Sequence, residues 1–199
     1  MRNDMSGRVI FLNGTSSSGK TTLARAIQDA SESPVLRWGI DGLFAMVPPK
    51  WGGGLDGPLS RDGFWYDRSQ RDVGGEPLVV VRYGAVGLRM LRSAAAAVGA
   101  FARGGNDVVV DEMLLSPELM PVWMSALSGL DVSVVAVTCP LEIAERREVA
   151  RGNERGVARG HARTVHRHEV RYDLTVDTSV ATPAELAETV LRRVWAASS

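Results

Sequence analysis

Short apolar runs alternate along the chain with longer stretches of helical periodicity. Val9–Leu12, Val108–Val110 and Val132–Val137 are aliphatic runs with little polar alternation, the pattern of strands covered on both faces of a parallel sheet. Val35–Ile40 and Leu174–Val176 are shorter or weaker runs of the same kind. Between them, helices are predicted over Thr21–Ser31, Pro77–Arg103, Pro117–Leu127, Pro140–Arg151 and Pro183–Ala197. Proline opens four of these, where its fixed φ and missing N–H suit a first helical turn. Strands alternating with helices imply right-handed βαβ crossovers. The expected fold is therefore α/β, three-layered, with a central, mainly parallel five-stranded sheet and helices on both faces.

Two segments break this rhythm. Pro48–Gly75, within the wider span 46–75, is rich in glycine and proline and too long for an ordinary connection, so it reads as a structured loop over a site. In Arg147–Arg171 an arginine recurs every four residues, interrupted by Gly152, Gly156 and Gly160. One unbroken helix is disfavoured by those glycines, and a helix, a glycine-hinged flap over 147–165 and a second helix fit better. At 199 residues, the chain reads as one domain spanning 1–199.

Between the first strand and the first helix lies Gly14-Thr15-Ser16-Ser17-Ser18-Gly19-Lys20-Thr21, which matches G-x-x-x-x-G-K-[ST] in the context that gives the pattern meaning. Glycines allow close approach to phosphate oxygens, and backbone N–H groups with the helix N-terminus attract the anion. Lys20 is placed to reach the β- and γ-phosphates, and the Thr21 hydroxyl to hold Mg²⁺. Lys20 and Lys50 are the only lysines beside many arginines, so the lysine at this position is a specific choice. Lys50 is followed by Trp51-Gly52, which argues against a guanine-reading element and a GTPase switch.

Asp111 closes a buried strand, where a carboxylate holds Mg²⁺ directly or through water; Glu112 follows it as a second candidate. Asp41, just past the second strand, projects toward the crevice where ligands of parallel sheets collect, and suits a base for an alcohol acceptor or a helix N-cap over 42–46. Half of the twelve aromatic residues fall within 38–66: Trp38, Phe44, Trp51, Phe64, Trp65 and Tyr66. They are candidate walls of an acceptor pocket, or anchors of the long loop. Arg147, Arg151 and Arg155 are candidates to close over a triphosphate. His161, His166 and His168 read as surface or locally hydrogen-bonded side chains.

Composition narrows the partners. Lys+Arg and Asp+Glu both number 23, so no net field draws in nucleic acid or an anionic membrane. The Arg-Gly repeat is short for an RNA-binding tract. Cys139 is the single cysteine, which excludes an internal disulfide and reads as a small apolar residue after a strand. Val9–Leu12 is short for a signal-peptide core and Ala94–Ala102 for a membrane span, so a cytoplasmic enzyme is expected, with self-association left open.

The order of the phosphate loop, Trp38-Gly39-Ile40-Asp41, Asp111 after a valine strand, Arg147-Glu148-x-x-Arg151-Gly152 and Tyr172-Asp173-Leu174-x-Val176-Asp177-Thr178 resembles the chloramphenicol phosphotransferase-like kinases over nearly the whole chain. The resemblance implies a P-loop kinase fold with an Arg/Gly lid. It implies MgATP-dependent transfer of the γ-phosphoryl group to a hydroxyl of a small antibiotic, a chloramphenicol-type acceptor or a related natural product. It assigns Asp41 as base, Gly14 through Thr22 to the nucleotide, Thr21 to Mg²⁺, and Arg147 and Arg151 to the lid. A metabolic kinase of nucleoside, shikimate or gluconate type, or a non-catalytic nucleotide switch, are the alternatives.

Overall fold

The computed structural model describes residues 6–53 and 56–195. In chain order the elements are β1 (Arg8–Asn13), α1 (Lys20–Ala30), β2 (Val35–Gly39), α2 (Ile40–Met46), a 3₁₀ turn (Pro49–Trp51), β3 (Phe64–Arg71) and β4 (Pro77–Tyr83). They continue with α3 (Ala85–Arg103), β5 (Asp107–Glu112), α4 (Leu119–Ala126), β6 (Asp131–Thr138), α5 (Leu141–Ala150), α6 (Val157–Ala162), β7 (Leu174–Asp177), α7 (Pro183–Val190) and a π turn (Leu191–Trp195). The last two positions of the helix predicted to end at Ala197 lie outside the described residues.

Five strands form one sheet in the order β2-β5-β1-β6-β7, every pairing parallel. The inner strands carry unbroken apolar runs, Val9–Leu12 and Val108–Val110, because alternate residues enter different cores. Val9 and Phe11 pack with Val108, Val110, Leu91 and Trp123 under α3 and α4. Ile10 and Leu12 pack with Val109, Val135, Leu23, Ile27 and Val190 under α1 and α7. The three layers expected from the sequence are therefore present. Trp123, almost fully buried, meets Phe11 and Trp38 edge to face at 5.2 and 5.0 Å.

The predicted helix over Pro77–Arg103 divides in two. Val79–Val81 belongs to a strand, and Gly84 marks the break, where a Cβ would come within 2.2 Å of the Arg61 carbonyl oxygen. The partner of that strand, Phe64–Arg71, lies inside the segment read as a loop; the two pair antiparallel as a separate sheet. Their turn is fixed by Asp72, whose carboxylate accepts the Gly74 and Glu76 N–H groups at 2.8 and 3.0 Å, and by Gly75 at φ 84°.

This hairpin packs on α6, which redefines the arginine ladder. The Val79 N–H donates to the Gly156 carbonyl at 3.0 Å, and a Cβ on Gly160 would lie 2.0 Å from the Val79 oxygen. Gly160 thus permits close packing of helix on strand and does not act as a hinge. Arg155 pairs with Glu76 at 2.8 Å, and Arg159 is held by Glu145 and Asp72. Both are bound to carboxylates of the protein, so the sequence reading of Arg155 as a phosphate-covering residue is corrected. The second, longer helix expected after the glycines is replaced by the six-residue α6 and an irregular segment.

By length and composition α3 could cross a membrane, yet Gly87, Leu91, Ala94, Ala95, Val98, Gly99 and Ala102 are buried in the protein's own core. Its remaining apolar face borders the cavity described below.

His161 is fully buried, not on the surface, and its Nε2 accepts the Val81 N–H at 2.9 Å, which leaves the ring proton on Nδ1. Burial, with Lys20 and Arg82 adding repulsion, holds its pKa down at about 4, against 6.5 for an exposed ring. Between pH 6.5 and 4 the unfolded chain takes up a proton that the folded protein does not. This group's contribution is therefore full above pH 6.5 and lost as pH falls toward 4, by about 3 kcal/mol. Urea-unfolding midpoints at pH 7 and 4.5 are expected to differ more for the wild type than for His161→Gln, whose amide oxygen can still accept the Val81 N–H. Identical pH dependence in both proteins would reject this assignment.

Candidate active site

The phosphate loop leaves β1 at Asn13, and each of its special residues has a local cause. A Cβ on Gly14 would lie 2.2 Å from the Val137 carbonyl oxygen, so this glycine serves the approach of the loop to β6. Ser17 and Gly19 adopt φ values of 58° and 97°, which turn successive N–H groups inward. No side chain caps the start of α1. The hydroxyls of Ser17 and Ser18 are buried without a hydrogen-bond partner. Unpaired donors at the head of an 11-residue helix are what a phosphate would satisfy.

Lys20 is buried, and its ammonium donates to the Thr15 carbonyl at 2.7 Å. Burial lowers its pKa, opposed in part by Asp111, Glu112 and Asp41. With Ser16, Ser17, Thr21, Asp41 and Asp111 it borders a cleft of about 310 Å³. Asp111 sits at the end of β5 beside Arg37, at 3.5 Å. Glu112 is buried with both oxygens unpartnered, and burial followed by the neighbouring Asp111 pushes its pKa well up. Arg37, absent from the sequence candidates, is the charged residue near the end of an otherwise apolar strand.

A second groove of about 200 Å³ lies on the other side of the loop, between Gly19, Thr22, Arg147, Arg151, Thr178 and Pro183. Arg147 donates to the Thr178 hydroxyl and carbonyl at 2.9 and 3.0 Å, and the Thr178 hydroxyl donates to the Ser18 carbonyl at 2.6 Å. Arg147 therefore borders this groove and not the Lys20 cleft, whereas Arg151 borders both. The two arginines assigned together from the sequence share this groove, and only Arg151 also reaches the Lys20 cleft.

The segment 147–165 is joined to the phosphate loop through Glu148 and Thr15. Glu148, fully buried, accepts the N–H groups of Gly156 and Ala158 at 2.7 and 2.8 Å, and the Thr15 hydroxyl donates to the Ala158 carbonyl at 2.7 Å. Thr15 thus faces α6 and not the cleft. Asn13 donates to Tyr172 at 2.8 Å, and Tyr172 also meets His166 and His168 at 2.6 and 2.8 Å. Those two histidines are locally hydrogen-bonded, as the sequence suggested.

A third cavity, about 900 Å³ and largely apolar, opens between α1, the β2–α2 segment and α3. Thr21, Arg37, Gly39 and Asp41 border both it and the Lys20 cleft. Among the described residues Asp41 is the only carboxylate in its wall. It occupies the first turn of α2 and not the N-cap, which is Gly39.

The aromatic candidates divide. Trp38 borders the apolar cavity, while Phe44 and Tyr66 border the Lys20 cleft. Burial, then the charge of Asp41, raises the Tyr66 pKa and keeps its hydroxyl protonated. Trp51, Phe64 and Trp65 border neither cavity. Phe64 is core, 1% exposed and edge-on to Phe44 at 4.9 Å; Trp51 packs against that core; Trp65 lies under the Arg61 guanidinium at 4.9 Å. These three anchor the hairpin and the preceding loop, so their reading as pocket walls is corrected.

Among the described residues no group of three or more His, Cys, Asp or Glu side chains could cage a metal. A hydroxyl and one carboxylate beside a phosphate site instead suit Mg²⁺, which keeps several waters and takes other ligands from substrate phosphates.

Comparison with known proteins agrees with this arrangement. The description of chloramphenicol phosphotransferase-like proteins matches residues 7–195. A Mycobacterium tuberculosis protein (strain H37Rv), named as a proposed O-phosphotransferase, is 31% identical over 181 residues, 91% of this chain and 79% of its own length. The fold is that of Mycobacterium tuberculosis APS kinase in complex with AMPPNP and APS (TM-score 0.62, 18% identity, 96% and 98% of the two chains). It is also that of a gluconokinase from Sinorhizobium meliloti 1021 (TM-score 0.58, 17% identity, 97% and 94%). A phosphate loop at the head of α1, a parallel sheet of P-loop kinase type and a match over 7–195 converge: this chain belongs to the chloramphenicol phosphotransferase-like family and is a P-loop O-phosphotransferase.

Proposed function

We propose that the protein is a cytoplasmic, single-domain enzyme that transfers the γ-phosphoryl group of MgATP to a hydroxyl of a small antibiotic or related natural product, and so inactivates it. The observation that carries this reading is the position of Asp41, the carboxylate shared by the phosphate-side cleft and the apolar cavity. An acceptor in the apolar cavity would present its hydroxyl to Asp41 on the border with the phosphates. Asp41 takes the hydroxyl proton, the acceptor oxygen bonds to the γ-phosphorus, and the bond from that phosphorus to the β–γ bridging oxygen breaks, releasing ADP.

Lys20 exchanges its Thr15 carbonyl for the β- and γ-phosphate oxygens. The N–H groups from Ser16 to Thr21 cradle the phosphates, and Thr22 with the Arg147–Thr178 groove borders the nucleoside. Thr21 and Asp111 would hold Mg²⁺, which would supply neutralisation of phosphate charge. Arg151, at the cleft edge, closes over the transferring group as part of the lid. The test is ADP release by the purified protein with MgATP and a panel of hydroxylated antibiotics, including chloramphenicol, and hydroxylated metabolites. Acceptor-dependent release confined to the metabolites would replace the antibiotic reading with a metabolic one, and none with any acceptor would remove the reaction.

The two lid arginines are expected to behave differently. Arg151→Ala is expected to lower kcat by about 10²-fold, the scale of a lost charge-stabilising donor. Arg147→Ala is expected mainly to raise the KM for ATP, because its guanidinium shapes the groove beyond the phosphates. Steady-state kinetics at varied ATP separates the two, and matching losses of kcat would reject the division.

A further inference from the structure

The apolar cavity carries more positive charge than its apolar character requires. Arg25 from α1, Arg37 from β2 and Arg89 from α3 all border it, and among the described residues Asp41 is the only acidic one there. Some arginines elsewhere, Arg8, Arg68, Arg82, Arg155 and Arg159, pair with a carboxylate, whereas Arg71, Arg103 and Arg147 reach carbonyl or hydroxyl oxygens. No carboxylate among the described residues pairs with Arg25 or Arg89, and Arg37 reaches only Asp111, at 3.5 Å. Two guanidinium groups from separate helices are thus left unneutralised at one cavity, in a chain whose net charge is zero.

The helix faces place these charges consistently. Arg25 lies one turn along α1 from Thr21, which borders the phosphate cleft, so it stands on the acceptor side. On α3, Arg89, Ser93, Ala97 and Phe101 recur every four residues and form one stripe along the cavity, the small Ser93 and Ala97 leaving its space open. Trp38, Leu43, Val47 and Met90 supply apolar wall. The cavity therefore offers an apolar surface, a base at one end and a pair of fork-shaped cations.

We propose that the acceptor is an amphipathic hydroxyl compound bearing an anionic group (carboxylate, phosphate or sulfate), which Arg25 and Arg89 bind, with Arg37 adding to the field. Guanidinium groups match such oxyanions by paired N–H donors as well as by charge. This inference rests on the phosphotransferase reading, since it names the class of acceptor for that same cavity. It separates acidic natural products from neutral ones such as chloramphenicol.

The test uses two dyes with the same aromatic body: 8-anilinonaphthalene-1-sulfonate and the neutral N-phenyl-1-naphthylamine. Each is titrated by fluorescence into the full-length protein with Mg²⁺ and saturating AMPPNP occupying the nucleotide site. The sulfonate is expected to bind saturably, more weakly as salt is added. Arg25→Ala and Arg89→Ala are each expected to weaken it by about three- to tenfold and the double variant by more, while the neutral dye changes less than about twofold. Arg89→Lys is expected to keep most of the affinity. Both arginines are exposed and helical, where alanine is well tolerated.

Absence of sulfonate binding to the wild type, unchanged affinity in the double variant, or equal weakening of both dyes would overturn the proposal. A turnover arm compares hydroxy acids with their methyl esters. If the dyes discriminate as expected and no acid is phosphorylated, the phosphotransfer reading fails and not the charge selectivity. Faster turnover of the esters would overturn the acidic-acceptor proposal alone.

Discussion

Lys20→Met is expected to reduce turnover by about 10³-fold while changing nucleotide affinity by less than about tenfold. The asymmetry comes from the division of labour at the phosphate loop. The backbone N–H groups and the unpaired Ser17 and Ser18 hydroxyls remain in place in the variant and still bind the triphosphate. What is lost is a point charge that strengthens its hold as negative charge moves onto the β–γ bridging oxygen. Folding should survive, because the ammonium is buried, its only hydrogen bond among the described residues is to the Thr15 carbonyl, and burial disfavours its charge. Methionine keeps the unbranched apolar stem. Turnover measured with a fluorescent-nucleotide Kd checks both halves; near-normal turnover would exclude Lys20 from the chemistry.

Asp41→Asn is expected to lower kcat by roughly 10²–10⁴-fold, the range for a lost general base. Asparagine keeps the size and an accepting oxygen but cannot take the acceptor's proton at neutral pH. The structural cost is small, because Asp41 is not a capping residue: α2 begins at Ile40 after Gly39, and no side chain caps it. Only the interaction of a first-turn carboxylate with the helix N-terminus is lost, about 0.3–1 kcal/mol. The Tm should therefore shift little while activity falls. An Asn variant with full activity would show that the acceptor oxygen is activated without Asp41, and measuring both quantities keeps folding and chemistry apart.

The strands covered on both faces were legible without any three-dimensional information. Every residue from Val9 to Leu12 and from Val108 to Val110 enters one of two cores, so their apolar runs state their burial directly. The phosphate loop was legible for a related reason: its function is local, confined to eight successive residues between a strand and a helix. The place of Asp41 and Asp111 beside the Lys20 cleft was also legible from position alone, since the ends of parallel strands face one crevice.

Other features were decided only by contacts between distant segments. Val79–Val81 joins an apolar stretch that suits helix or strand equally, and pairing with Phe64–Arg71 selects the strand. That partner follows Phe64-Trp65-Tyr66 with five polar residues, so its sequence lacks the apolar alternation that marks a half-buried strand. Aromatic residues serve core and cavity by the same apolar surface. Thus the sequence could not separate Trp38, at the cavity, from Phe64, in the core. The arginine ladder illustrates the same point with charge. Its spacing specifies where each guanidinium leaves the chain, but Glu76 and Asp72 on the hairpin neutralise Arg155 and Arg159, while Thr178 holds Arg147 at the groove beside Gly19 and Thr22. Arg25, Arg37 and Arg89, unremarkable and far apart in sequence, become one charged wall because α1, β2 and α3 meet at the same cavity. The sequence by itself determined the sheet and the phosphate chemistry, where burial and ligand contacts are local properties of the chain. Which side chains share a cavity was set by the tertiary structure, because charge compensation and apolar contact depend on distances across the fold and not along it.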